Sequence, residues 1–388
     1  TTLLPLPLLP LASLQDMPLA DGLGHVHTLN AIQTQVFHTL SHSRANVLLC
    51  APYGSGKWTA ALFAIARAFK QDSEAGGAAS SSKNSAALLG IILIIEPDAK
   101  RIGSRVDTLT KLAPFLGDIN SVHASSTLEH CVPRSIVIMT PADAANALSG
   151  ATAAHAQLPT LSLVVCLHIH KLTPAYELAI MQIRRTQPSR FIATAQCLST
   201  AASFAAWLHI PTHAMYAFAP SDTPYPVSMS FDTVDIPYSE TLVRAYAKPA
   251  FDCLETHEGE VGLLFAPTRA QCITAAQELT ARFAMKGFTA HPDVESAAQS
   301  IQHQGLAHLV RQGLAFWHTN LSERDRSTVE RLADMRWIRA VLCSFEAAED
   351  VPIQTSLVIV LGTQYTTHAS RHVQEYSLEP VSYTHLRA

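Results

Sequence analysis

The sequence predicts an α/β protein of two tandem domains with largely parallel sheets, and three observations predict it. An apolar run at 46–50 leads into a glycine-bearing loop and then into an Ala-, Leu- and Ile-rich stretch at 59–69, the order of strand, turn and helix. Further apolar runs at 90–95, 135–139, 161–166 and 190–193 alternate with helical stretches, which argues for a parallel sheet. The pattern breaks near residue 212 into Pro, Tyr, Ser and Asp, then resumes with strands at 262–266, 314–318, 339–343 and 356–361.

Taken in order, the opening TTLLPLPLLPLASL carries Pro5, Pro7 and Pro10 and no basic residue ahead of its apolar run. It fits neither a signal peptide nor a spanning helix and reads as an extended lead-in over residues 1–24. A first domain is expected at 25–212. Within it, residues 71–87 (QDSEAGGAASSSKNSAA) have no hydrophobic period and read as a surface loop. Pro220, Pro224, Pro226 and Pro237 mark a linker or sheet-edge passage at 213–237, and a second domain is expected at 238–378. Residues 379–388, ending in PVSYTHLRA, resemble a translated cloning adapter and are expected to be a non-native tail.

Composition excludes several classes. The 388 residues hold 27 basic and 31 acidic side chains, a net charge of −4, and only 15% are charged. The densest basic stretch, 324–339, alternates with acids, so it reads as a solvated helix face and not as a grip on a phosphate backbone. The longest apolar run, 86–95, is ten residues and too short to cross a bilayer. Seven cysteines, Cys50, Cys131, Cys166, Cys197, Cys253, Cys272 and Cys343, are scattered singly, without metal-ligand spacing.

The loop itself, CAPYGSGKWT at 50–59, is a phosphate-binding loop with one position altered. Gly54, Ser55 and Gly56 would turn backbone N–H groups toward phosphates and Lys57 would reach them, but the following Ser or Thr that holds Mg²⁺ is replaced by Trp58. Thr59 is no simple substitute, because one helical step rotates a side chain by roughly 100°. Trp58 is expected to fill volume that metal and phosphate would otherwise take. His168 and His170 could be read as a metal pair on one strand face, yet two ligands make a poor site. Cys197 carries no legible activating partner.

Eight segments in order resemble the Ski-like class of superfamily 2 helicases. They are NAIQTQVFHTL at 30–40, APYGSGKW at 51–58, IVIMTPADAANALS at 136–149, LSLVVCLHIHKL at 161–172, FIATAQCLSTAASFAAWL at 191–208, GLLFAPTRAQ at 262–271, RQGLAFWHTNLSERDRSTVERL at 311–332 and LVIVLGTQY at 357–365. The second cassette of the spliceosomal members of that class is the most similar in form. The resemblance implies two RecA-like (P-loop NTPase) domains, the second truncated, and adds Gln35 to Gly54, Ser55, Gly56, Lys57, Trp58 and Thr59 as positions that would face ATP. It also implies that an Asp and a Glu should stand where Leu167 and His168 stand. The coupling motif reads Thr194, Ala195 and Gln196, and the nucleotide-sensing motif at 344–353 has Asp350 and Pro352 in place of Gly and Asn. A match to the final arginine motif is missing, with Arg371 a candidate to take its role.

These substitutions lead to an expectation of a catalytically inactive helicase cassette without catalytic residues or bound metal. Any ATP would be held weakly and without Mg²⁺. The partners the resemblance implies are spliceosomal proteins and an active cassette of the same polypeptide, in the nucleus, with direct RNA binding weak or absent and no membrane. The alternatives are an active ATP-dependent RNA helicase that unwinds duplexes, for which Lys57 and the glycines speak, and a truncated pseudogene or assembly product.

Overall fold

The computed structural model describes residues 1–14, 18–24, 26–78, 90–128, 131–153, 158–224, 228–236, 242–286, 291–318, 320–348, 351–353, 355–366 and 373–375. The chain divides into two compact units, Thr1–Pro226 and Val227–Ala388.

The first unit runs α1 (Leu19–Gly22), α2 (Ala31–His42), β1 (Val47–Cys50), α3 (Lys57–Ala78), β2 (Ile91–Ile95), α4 (Ala99–Leu116), β3 (Ser121–Ala124), β4 (Ser135–Met139), α5 (Pro141–Ala153), β5 (Leu161–Cys166), α6 (Pro174–Thr186), β6 (Arg190–Ala195), α7 (Ala201–Trp207) and β7 (Met215–Ala217). The strands form one seven-stranded sheet in the order β3-β4-β2-β5-β6-β1-β7, and every pairing in it is parallel. All residues of β1, β2 and β4 are buried, because helices cover both faces of a parallel sheet and its strands become unbroken apolar runs. The helices begin on caps that the sequence supplies. Asn30 and Gln33 form a reciprocal capping box on α2, and Thr173 accepts from Tyr176 N ahead of Pro174 on α6.

The second unit runs α8 (Val243–Thr256), β8 (Gly262–Ala266), α9 (Arg269–Met285), α10 (Val294–Ser300), α11 (Gln304–Arg311), β9 (Leu314–Trp317), α12 (Glu323–Asp334), β10 (Ala340–Ser344), β11 (Leu357–Val360), β12 (Gln364–Thr366) and β13 (Val373–Glu375). A four-stranded parallel sheet has the order β11-β8-β10-β9, and β12 and β13 make a separate antiparallel pair.

Several expectations change. Gln71–Ala78, expected in a surface loop, extends α3 to 22 residues, since adding turns to a helix nucleated on the buried stretch from Ala60 to Phe69 costs little. The remainder of that loop, 79–87, lies outside the described residues, as do Asp350, Arg371 and the 379–388 tail. Met215–Ala217, inside the expected linker, is an edge strand that pairs with β1. The lead-in is extended up to Pro10, which bridges to Thr28, and then takes a short 3₁₀ turn at Leu11–Ser13. His168 is not a strand residue. The strand ends at Cys166, and His168 turns into the left-handed region at φ 50° before a 3₁₀ turn at Ile169–Lys171.

Candidate functional site

In a parallel α/β sheet, ligands sit outside the carboxyl ends of the strands. The loop at 51–56 leaves β1 at that edge, Leu167 and His168 leave β5 there, and Gln196 leaves β6, which lies between them and pairs with both. The altered motifs therefore share one edge of the first sheet.

The loop keeps its phosphate-cradling form. Gly54 and Gly56 both stand at φ 69°, where side chains are strained. Ser55 is fully buried, its hydroxyl donating to Pro52 O at 2.7 Å. The α2 capping pair clamps the loop from outside, with Asn30 Nδ2 donating to Ser55 O at 3.1 Å and Gln33 Nε2 donating to Gly56 O at 3.2 Å. A Cβ at Gly56 would stand 2.1 Å from that Gln33 nitrogen. The amide that grips the loop is Gln33. Gln35, the position the family resemblance points to, instead accepts from Leu4 N at 3.0 Å and donates to Thr2 O at 3.1 Å, so it ties down the lead-in.

Lys57 folds back onto its own loop. Its Nζ donates to Ala51 O at 2.8 Å and Pro52 O at 2.6 Å, and it lies 5.5 Å from the Tyr53 ring. Burial lowers its pKa to about 8. Burial likewise raises the nearby Cys50 thiol to about 12 and raises Cys197 against the opposing pull of Lys57, so Cys197 is a protonated thiol and not an activated nucleophile.

Trp58 engages α4. The Arg105 guanidinium lies 4.2 Å from the Trp58 ring centre, a cation–π contact, and its Nε reaches Glu96 Oε2 at 3.4 Å. Glu96 is fully buried at the end of β2, where its other oxygen accepts from Asp98 N at 3.3 Å. Burial raises its pKa, and Arg105 is the strongest opposing influence. Thr59 follows on α3, half-buried. Trp58, Arg105 and Glu96 thus make a cluster next to the altered metal position. Sequence reasoning found only Trp58. Glu96 ends the apolar run IILII, and Arg101 and Arg105 stand four apart on one helix face, signals too ordinary to mark a site.

The β5 edge holds no carboxylate. Leu167 is a core residue, 2% exposed, with its carbonyl accepting from Tyr176 OH at 2.9 Å. His168 N donates to Thr194 Oγ1 at 3.4 Å, and His170 Nδ1 accepts from Gln196 N at 3.2 Å. The two imidazoles meet edge to face at 5.7 Å. His168 is pushed down to about 3, first by burial and then by Arg101 and its other cationic neighbours, so it is a neutral ring. No cluster of three metal-ligating side chains occurs among the described residues.

With this geometry, the comparisons place the chain. Residues 30–206 match the DEAD/DEAH box helicase family. The match starts on the α2 cap and ends in α7, so the seven-stranded parallel sheet is the RecA-like sheet of these helicases. The chain is 26% identical over 96% of its length to activating signal cointegrator 1 complex subunit 3 of Homo sapiens. It is 26% identical over 98% of its length to the DExH-box ATP-dependent RNA helicase DExH14 of Arabidopsis thaliana, and 25% identical over 94% to DExH12 of the same plant. It spans only 17–18% of the length of these relatives. The similarity is to Ski-like DExH RNA helicases, and it runs through both units.

Proposed function

We propose that this chain is a catalytically inactive helicase cassette, a protein-interaction and regulatory module of a larger nuclear RNA helicase acting in pre-mRNA splicing. In motif form it is most like the second cassette of the U5 small nuclear ribonucleoprotein helicase. Its partners would be spliceosomal proteins and an active cassette of the same polypeptide, with little direct grip on RNA. The observation that carries the reading is the edge of β5. A buried Leu167 and a neutral His168 stand where a metal-holding and a water-positioning carboxylate are needed.

The site fits part of a nucleotide. The positive-φ glycines and Lys57 suit phosphate, and a bound phosphate would have to draw Lys57 away from the carbonyls of Ala51 and Pro52. The residues do not fit Mg²⁺, because Trp58 and Leu167 offer no oxygen ligand and Glu96 is committed to Arg105 and Asp98 N. Loss of a positioned base alone lowers a rate by about 10²–10⁴, and loss of the metal removes several kcal/mol more of transition-state stabilisation. Purified protein should therefore hydrolyse ATP no faster than buffer, with or without RNA, and calorimetry should find weak ATP binding that Mg²⁺ leaves unchanged. RNA-stimulated turnover, or a large gain in affinity with Mg²⁺, would return the chain to the active helicases.

A further inference from the structure

The start of α2 carries two sets of contacts on neighbouring residues. Asn30 and Gln33 hold the phosphate loop, through Ser55 O and Gly56 O. Thr34 and Gln35, the next residues along, hold the lead-in. Thr34 Oγ1 accepts from Leu9 N at 3.2 Å, while Gln35 accepts from Leu4 N at 3.0 Å and its amide donates to Thr2 O at 3.1 Å. The lead-in also pairs with the residues just before the α2 cap. Leu29 N donates to Leu9 O at 2.9 Å, Leu11 N donates to His27 O at 3.0 Å, and Pro10 bridges to Thr28.

The chain therefore turns into α2 against the lead-in. Thr34 closes that turn, since the hydroxyl that accepts from Leu9 N also donates to Leu29 O at 3.3 Å. Asn30 comes directly after Leu29, and its side chain accepts from Gln33 N at 2.9 Å while it donates to Ser55 O. Gln33 returns the bond, accepting from Asn30 N at 3.0 Å while it donates to Gly56 O. A shift of the backbone at Leu29 and Asn30 would move both clamps on the loop. What the clamps hold is the positive-φ form of Gly54 and Gly56, in which the loop amides can face an anion.

The lead-in is more lightly held than the sheet beneath it. Leu11 is buried and Leu3 and Leu9 are partly so, but Leu4, Leu6 and Leu8 are 47%, 41% and 51% exposed. Segments with few buried apolar contacts open ahead of the core they lie on. Opening here would take away the partners of Leu29 N, Thr34 and Gln35 and leave the strands closed.

We propose that the lead-in is a strap that sets the phosphate loop through α2, with Thr34 and Gln35 as positioning residues, so that lifting residues 2–9 loosens the anion site. The effect on a ligand rests on the nucleotide-loop reading, whereas the coupling of strap to loop does not.

The test is amide hydrogen exchange of the whole chain without ligand, on variants that release the strap from either side. Gln35→Met keeps the length of the side chain and loses both of its hydrogen bonds to the strap. Leu3→Ser with Leu9→Ser loosens the strap's apolar anchors and leaves α2 untouched. Each should speed exchange by about tenfold in the lead-in and, with it, at residues 30–34 and 53–57, while residues 47–50 of β1 keep their protection. Gln35→Glu, which can still accept from Leu4 N, should recover part of that protection. Faster exchange in the lead-in alone, equally throughout the unit, or at the loop in the Gln35→Met variant only would overturn the proposal, as would a Gln35→Glu variant as loose as Gln35→Met. Titration with inorganic pyrophosphate in EDTA gives the ligand arm, where both strap-releasing variants should bind about tenfold more weakly than the unaltered chain because a preorganised cradle has been lost. Equal affinity in all three would also overturn the proposal. No binding by the unaltered chain would overturn the nucleotide-loop reading instead, and the exchange result would still decide the strap.

Discussion

The two units end their parallel sheets in opposite ways. At the edge of the first sheet, the polar side chains of the loop cluster are turned inward on the protein. Lys57 rests on its own loop carbonyls, Arg105 on Trp58 and Glu96, and Gln33 on Gly56. At the edge of the second, two buried polar atoms, Ser344 Oγ and His318 Nδ1, have no hydrogen-bond partner. The phosphate-loop cluster satisfies its own polar groups, while Gln196 Nε2 on the same edge is buried without a partner. In the second unit the unspent hydrogen-bonding capacity falls within the segments at 311–332 and 344–353 that carry the helicase resemblance. A motif records what a site once bound, whereas unsatisfied polar groups bear on what it can bind now.

The strongest way to break that contrast is Arg105→Ala. It removes the cation–π partner of Trp58 and the counter-charge of a fully buried Glu96. Truncating one member of a buried pair costs about 3–5 kcal/mol. Arg105 is 18% exposed and Glu96 can take up a proton, so the expected loss is nearer about 2–3 kcal/mol. Denaturant midpoints would measure it. A loss under about 0.5 kcal/mol, the range of ordinary surface changes, would mean that the cluster is not a structural unit.

Next comes Gly56→Ala. The residue sits at φ 69°, and the added Cβ would stand 2.1 Å from Gln33 Nε2. Left-handed strain on a non-glycine residue costs about 1–3 kcal/mol, and Gln33 would have to release Gly56 O as well. The counterpart in the second unit is Gly262→Ala, whose Cβ would meet Leu254 Cδ2 at 2.3 Å without a positive φ to aggravate it. Overpacking of that kind costs about 1–3 kcal/mol and falls when the neighbour can turn aside. Gly56→Ala should therefore be the more costly of the two, and the reverse order in urea unfolding would show that the loop is held less tightly than its hydrogen bonds suggest.

How much of this was legible in the sequence depends on burial. Val47–Cys50, Ser135–Met139 and Gly262–Ala266 are buried at every residue and were plain as apolar runs. Ser121–Ala124 and Met215–Ala217 were missed as strands because they lie at the two edges of the sheet, part-exposed along their length, and carry no such run. The loop glycines and Lys57 were legible because their spacing is the motif. Glu96 and Arg105 were not, because their roles arise only when β2 and α4 meet in the fold. Gln33 and Gln35 could not be told apart by sequence, since the choice depends on which helix face meets the loop and which meets the lead-in.

A pH-dependent effect concerns His168. Its folded pKa of about 3 lies below that of an unfolded histidine, which is about 6.5. Between these values the unfolded chain binds a proton that the folded chain does not. The neutral ring therefore favours folding above pH 6.5, and this contribution is lost as pH falls toward 3, by at most about 1.4 kcal/mol per pH unit. His168→Gln removes the titration. Chemical unfolding from pH 7 to 4 should find a shallower acid decline in the variant, and parallel curves would place His168 in water.

The smallest expected change is Ser344→Ala, and it has the opposite sign to the truncations in the first unit. A hydroxyl that is 2% exposed and unpaired has given up water for nothing within the fold. Its removal loses no hydrogen bond, relieves a desolvation cost and leaves only a void of one oxygen. Replacing an unsatisfied buried polar group should be neutral or stabilising, by about 0–1 kcal/mol. A group retained for packing would instead cost stability when removed. A destabilisation beyond about 1 kcal/mol in denaturant titrations would mean that the hydroxyl already has a partner, and the contrast between the two sheet edges would then fail at the second one.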